Sequence, residues 1–180
     1  MLSQTSAMRG VNCDTQAFRD ASAASRGNGC AEETMFEPRN IADYFLIASR
    51  DRGENLTNLK LQKLLYYAQA WFLVKRDKPL FEEDFQAWIH GPTLVSQYDR
   101  FKSNSWRPIA EDIEAPELPG HVTLHLDEVL DVFGIESAIA LEAMTHAEEP
   151  WREARGKAAP HEPSTAIIRK ETITRFYRSL

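Results

Sequence analysis

The sequence predicts a mainly α protein: one compact helical domain of about six to seven helices with at most a minor β element. Two observations carry that reading. From Ile41 onward, apolar residues recur at helical spacing in successive segments of ordinary helix length, each bounded by a capping Ser or Thr, a Gly or a Pro. The one stretch that reads as a strand is Phe85 to His90, which alternates before a Gly91-Pro92 turn.

The elements follow in order. Ile41, Tyr44, Phe45 and Ala48 lie at i, i+3, i+4, i+7 and give a first helix over about 39–51, closed by Gly53. Thr57 or Asn58 can accept backbone N–H bonds to open a second over about 58–76, with a wide stripe of Leu61, Leu64, Leu65, Ala68, Trp71 and Phe72. Lys60, Lys63 and Gln69 then read as its wet edge. Tyr66 and Tyr67, about 100° apart, leave at least one ring at the stripe's margin. Pro92 at a first-turn position, with Leu94, Val95, Tyr98 and Phe101, predicts a third helix over about 92–102. Pro108, Pro116 and Pro119 make 103–121 a loop. Leu126 to Phe133 forms a fourth helix ending at Gly134, and Ser137 caps a fifth that runs to about His146. Pro150 opens a short sixth helix in which Trp151 packs inward, and Thr145 with Glu148 can cap the turn into it. Ile173, Phe176, Tyr177 and Leu180 place a seventh at the C-terminus.

A chain of 180 residues, 43% hydrophobic, suffices for a single core without metal or disulfide support. Its net charge of −6 argues against a phosphate-tracking surface, so nucleic acid is not the expected partner. No apolar run approaches the roughly 20 residues a membrane span needs. With no basic, apolar signal segment at the start either, the expected location is cytoplasmic. Residues 1–34 are rich in Ser, Ala, Asn and Gly and read as a flexible leader holding both Cys13 and Cys30 as free thiols, with the folded domain over 35–180. Met35 stands directly before the first periodic segment, which raises the expectation that translation starts there; intact mass of the native protein would test it.

No phosphate-binding, zinc-hydrolase or serine-hydrolase signature is present, so no enzyme, cofactor or metal site is expected. His121 and His125 are four apart, but the strand-like alternation of VTLHL makes a shared helix face doubtful, and both read as solvated. His146 reads first as a cap on the fifth helix, with a hydrolase-type acid–base pairing to Glu148 as a lesser alternative. AWIHGP (87–92) and THAEEPWREAR (145–155) are chemically denser than a plain core needs, and Trp88 and His90 fall on the face opposite Ile89, beside the turn. Turn chemistry with aromatic packing explains both stretches from composition alone; a binding face is the sharper reading.

Three segments, LTNLKLQKLLYYAQAW, PLFEEDFQAWIHGPTLVSQYDRF and ALEAMTHAEEPWREAR, resemble the Panacea-domain family, also described as SocA-like or phage-associated GepA-like proteins. The resemblance spans about 39–180. It implies a bacterial, prophage-associated antitoxin of a toxin–antitoxin system, which neutralises a cognate protein toxin by direct binding and brings no catalytic residue or cofactor. It further implies a proteolytic-adaptor mode that delivers the toxin to ClpXP. The matching positions are Leu61, Gln62, Lys63, Leu64, Tyr66 and Tyr67; then Ala87, Trp88, Gly91, Pro92 and Tyr98; and last Thr145, His146, Glu148, Pro150 and Trp151. The family's usual valine after Gly-Pro is Thr93 here, and its tyrosine-like position in the strand is His90. The partner-binding residues expected are Lys63, Tyr66, Tyr67, Trp88, His90, Pro92, Tyr98, His146 and Trp151, with the tyrosine edge of the second helix and the turn forming one aromatic patch. A different class of reading is a DNA-binding autoregulator using Arg169, Lys170, Arg175 and Arg178.

Overall fold

The computed structural model describes residues 35–159 and 161–180. The leader, with Cys13 and Cys30, lies outside the described residues. Among the described residues there are seven α-helices and one three-stranded sheet. The helices are α1 (Pro38–Asp51), α2 (Asn58–Arg76), α3 (Val95–Phe101), α4 (Gly120–Phe133), α5 (Ala138–Ala147), α6 (Glu149–Arg155) and α7 (Lys170–Ser179). The strands β1 (Phe85–Trp88), β2 (Gly91–Thr93) and β3 (Ile167–Ile168) lie in the order β2-β1-β3, antiparallel throughout.

α2 is the axis. Thr57 caps it by accepting a bond from the Lys60 N–H at 3.3 Å, and from Lys60 to Leu73 every residue is buried. The helices α1, α4, α5 and α7 and the strand β2 pack around it. A helix enclosed on all sides is ordinarily apolar all round. This one is not, and its amide and ammonium side chains are satisfied largely by holding the backbone of the segments that wrap it. Gln69 Oε1 accepts from the N–H of Leu80 (2.8 Å) and Phe81 (3.3 Å), while its Nε2 donates to the Phe81 carbonyl at 2.9 Å. Gln62 Oε1 accepts from the Leu94 N–H at 2.7 Å, and its Nε2 donates to Asn58, whose own amide donates to the Tyr98 carbonyl. Lys60 Nζ donates to Glu54 and to the Gly134 carbonyl at 2.6 Å. Lys60, Lys63 and Gln69 are therefore interior clamps, not the wet edge expected of them. Tyr66 and Tyr67 are likewise fully enclosed: Tyr67 stacks on Phe133 at 3.9 Å, and Tyr66 meets Phe85 edge-on at 5.5 Å. Neither ring lies at a margin, because α2 has no solvent face along this stretch.

The third helix begins at Val95, later than expected, because Pro92 pairs opposite Ala87 in the hairpin and Leu94 stays extended to reach Gln62. A single 3₁₀ turn, Lys102–Asn104, follows it. The fourth helix starts earlier, at Gly120, and takes in VTLHL, since burial of Val122, Leu126, Val129 and Leu130 follows a 3.6-residue period. His125 consequently faces the core: its Nε2 lies 2.9 Å from the Ala68 carbonyl, and burial pushes its pKa down to about 4, so it is neutral and not solvated. His121 is half-buried and meets Phe36 edge-on. Ile167 and Ile168, just before α7, add β3 to the sheet. Ser137 caps α5 as expected, whereas Glu148 occupies the cap position of α6 without a side-chain cap bond, and Thr145 Oγ1 donates to the Glu142 carbonyl.

Replacing Gln69 by Leu keeps the volume but strands three backbone groups of Leu80 and Phe81. Urea unfolding should show a loss of about 3 kcal/mol; a loss below about 1 kcal/mol would mean water takes over the clamp.

Candidate functional site

The hairpin between β1 and β2 is built around Lys63. Gly91 adopts φ +92, and a Cβ there would lie 2.7 Å from Lys63 Nζ and 2.8 Å from Thr145 Oγ1, so only glycine admits this approach. Lys63 Nζ donates to the Pro92 carbonyl at 3.1 Å. Burial pushes the pKa of this fully enclosed ammonium down to about 7, partly offset by the Glu142 carboxylate. Lys63 and Pro92, both expected at a partner surface, thus form the joint between α2, the hairpin and α5.

A second joint fastens the hairpin to α6. Trp151 Nε1 donates to the Trp88 carbonyl at 2.9 Å, and Arg155 donates to the Ala87 carbonyl at 3.0 Å while its guanidinium sits 4.9 Å from the Trp151 ring. His146 stacks on the other part of this unit, 4.1 Å from Trp151 and 19° from coplanar, and burial holds its pKa below the usual histidine value. His146 is therefore a packing residue beside Trp151. The Glu148 carboxylate turns elsewhere, accepting from Tyr177 OH at 2.7 Å and Tyr67 OH at 3.1 Å. The acid–base pair that a hydrolase reading needs is not assembled. Glu148 as a whole residue is half-buried, but its carboxylate lies among Tyr66, Tyr67 and Tyr177, and that desolvation pushes its pKa up to about 7.

What remains open to solvent is the outer side of the hairpin. Trp88, Tyr98, His90 and Trp106 line a cleft of about 280 Å³ between β1–β2, α3 and the 3₁₀ turn, floored by Leu59 and Thr93. Tyr98 meets Trp88 edge-on at 4.7 Å, and Trp106 meets His90 at 5.7 Å, nearly perpendicular. Trp106 is 68% exposed, which is unusual for an indole. His90 Nδ1 is held 3.0 Å from Glu142, and Trp88 Nε1 donates to Gln86 at 2.7 Å, so the rings are set before anything binds. Of the residues expected to meet a partner, Trp88, His90 and Tyr98 come together here, whereas Lys63, Tyr66, Tyr67, Pro92 and Trp151 are buried behind them and His146 is half-buried. Trp106 was missed; its signal was a lone indole in the polar run KSNSWRP. A larger depression, about 610 Å³, lies over the end of α6, but the carboxylates on its rim are tied to Arg175 and its one indole, Trp151, is buried.

The raised carboxyl has a testable consequence. Glu148 holds its proton in the folded chain to higher pH than in the unfolded one, so its contribution is fully present below about 4.5 and is lost as pH rises through about 7. Glu148→Gln removes that titration while keeping a carbonyl for the phenols. Between about pH 5 and about pH 8, its stability relative to the parent should climb; parallel curves from urea unfolding would show that this carboxyl does not titrate in that window.

The span matched by the family model takes in Lys63, the hairpin, Trp151 and the aromatic side chains of the cleft, and stops short of Arg155. The model of the antitoxin SocA-like, Panacea domain family matches residues 61–152, just over half of the chain. Antitoxin SocA of Caulobacter vibrioides (strain NA1000 / CB15N) is 32% identical over an alignment of 128 residues that covers 64% of this chain and 68% of that protein. No solved structure matches. Among the described residues no helix is long and apolar enough to cross a membrane, and no group of three or more His, Cys, Asp or Glu is placed to hold a metal ion. On the span of the family model and the extent of the relative, the chain belongs to the SocA-like antitoxin family with the Panacea domain.

Proposed function

We propose that this chain neutralises a cognate protein toxin by direct binding, with the cleft of Trp88, His90, Tyr98 and Trp106 as the anchor. The observation that carries this reading is the exposed indole of Trp106 over a pre-set aromatic cleft. Trp and Tyr dominate interface energetics because they bury large rigid surfaces at small entropic cost. Membership of the antitoxin family supports the role, and delivery of the bound toxin to ClpXP would use the same contact with a protease contact added. The autoregulator reading is weakened, because three of its four basic residues are paired: Lys170 with Asp84, Arg175 with Glu149 and Glu153, and Arg178 with Asp77.

The test is calorimetric titration of the full chain with the toxin encoded beside it. Trp106→Ala and Tyr98→Ala should each weaken binding about 30-fold, equivalent to about 2 kcal/mol, with unchanged thermal melting. Parental affinity in both variants would remove the cleft from the interface. Rescue from toxicity that persists in a strain lacking ClpX would mark occlusion, and rescue that disappears would mark delivery.

A further inference from the structure

A single carboxylate joins the aromatic cleft to a helix outside it. Gly91 lets α5 come close, since a Cβ there would lie only 2.8 Å from Thr145 Oγ1. That approach brings Glu142, one turn before Thr145 on α5, to the residue next to Gly91: the Glu142 Oε1 lies 3.0 Å from His90 Nδ1. The Glu142 side chain is only 20% exposed and does not line the cleft, whereas the His90 side chain is 56% exposed and does. Lys63, behind the turn, draws the same carboxylate and helps to hold it there.

The direction of that hydrogen bond follows from the groups that make it. An ionised carboxylate has no proton to give, so Nδ1 donates, and in the neutral imidazole Nε2 is then an acceptor. Among the described residues Nε2 has no hydrogen-bond partner. The other polar groups of the cleft are largely occupied. Trp88 Nε1 donates to Gln86, Thr93 Oγ1 donates to the Gly91 carbonyl, Lys102 is paired with Asp99, and Asn58 and Gln62 hold one another and the backbone. Tyr98 OH and Ser105 Oγ can turn to give or accept, and Trp106 Nε1 can only give. His90 Nε2 is therefore the side-chain acceptor of the cleft whose role is set from outside it. Covering it with an apolar group or a carboxylate would leave it unpaired, at a cost larger than a met hydrogen bond returns, so it selects for a donor.

We infer that Glu142 is a positioning residue of the cleft: by accepting from His90 Nδ1 it orients the ring, fixes its tautomer and presents Nε2 to an N–H or O–H of the partner. What meets Nε2 rests on the toxin-binding role of the cleft; the tautomer is a property of this chain alone.

The first arm of the test is long-range proton–nitrogen NMR of the full chain carrying isotope-labelled histidine, at about pH 8.5, above the range in which histidine ordinarily changes charge. The His90 signals are identified by their loss in His90→Phe. His90 should carry its proton on Nδ1 in the parent and move it to Nε2, the nitrogen an unconstrained imidazole prefers, in Glu142→Ala. A proton on Nε2 in the parent, or the same tautomer in both proteins, would overturn the inference. The second arm is calorimetric titration with the toxin encoded beside the chain, at the same pH. Glu142→Ala and His90→Phe should each weaken binding at least about tenfold, with thermal melting unchanged. Parental affinity in either of them, while Trp106→Ala and Tyr98→Ala lose theirs, would also overturn it. If all four variants bind as the parent does, the toxin-binding role of the cleft fails, and the His90 tautomer alone decides the role of Glu142.

Discussion

The constraint on which the structure depends is the complete enclosure of α2. A nineteen-residue helix with no solvent face along most of its length must satisfy every polar side chain internally, because an unpaired buried amide or ammonium costs as much as a good packing contact returns. The solution here is local and specific. Gln69 takes the chain at Leu80 and Phe81, Gln62 takes it at Leu94, Lys63 at Pro92 and Lys60 at Gly134. The irregular connections are thereby tied to the axis of the core, and the short sheet is held in register with it.

That arrangement explains how a hairpin of only three residue pairs can present a rigid surface. An isolated two-stranded ribbon is marginal in water. This one is fixed from behind by Lys63 at the turn, from the side by Trp151 and Arg155 bonding the Trp88 and Ala87 carbonyls, and along its far edge by β3. The rings of Trp88, His90 and Tyr98 are then held on its outer side, where Trp106 closes the cleft. Motif residues divide by depth: those on α2 and at Pro92 and Trp151 build the support, and those on the outer hairpin and α3 meet solvent.

The same enclosure governs the protonation of the core. Lys63, His125 and Glu148 are each pushed toward their neutral forms by desolvation, Lys63 down to about 7, His125 down to about 4 and Glu148 up to about 7. The shift toward the uncharged form lowers the cost of enclosing each group in the frame.

By itself the sequence determined the helical class, the positions of most helices to within a few residues, the cap of α2 to Thr57 or Asn58 and that of α5 to Ser137, and the family, through three long ordered motifs. These are legible because helical periodicity and capping are local, and because an ordered series of motifs survives without knowledge of contacts. It also brought Trp88 and His90 forward as surface residues, since alternation about Ile89 and the nearby turn are local as well, whereas Tyr98 came forward only through the family resemblance. Only the tertiary structure decided which polar residues of α2 face inward. Lys60, Lys63 and Gln69 look like a wet edge in any window of sequence, and their partners lie between 6 and 74 residues away. It likewise decided that Tyr66 and Tyr67 are enclosed, that VTLHL is helical, that Glu148 belongs to the tyrosines and not to His146, and that Trp106 completes the cleft. Each of these depends on which elements pack against one another, and that is set by the total burial of α2, a property that no single stretch of the sequence carries.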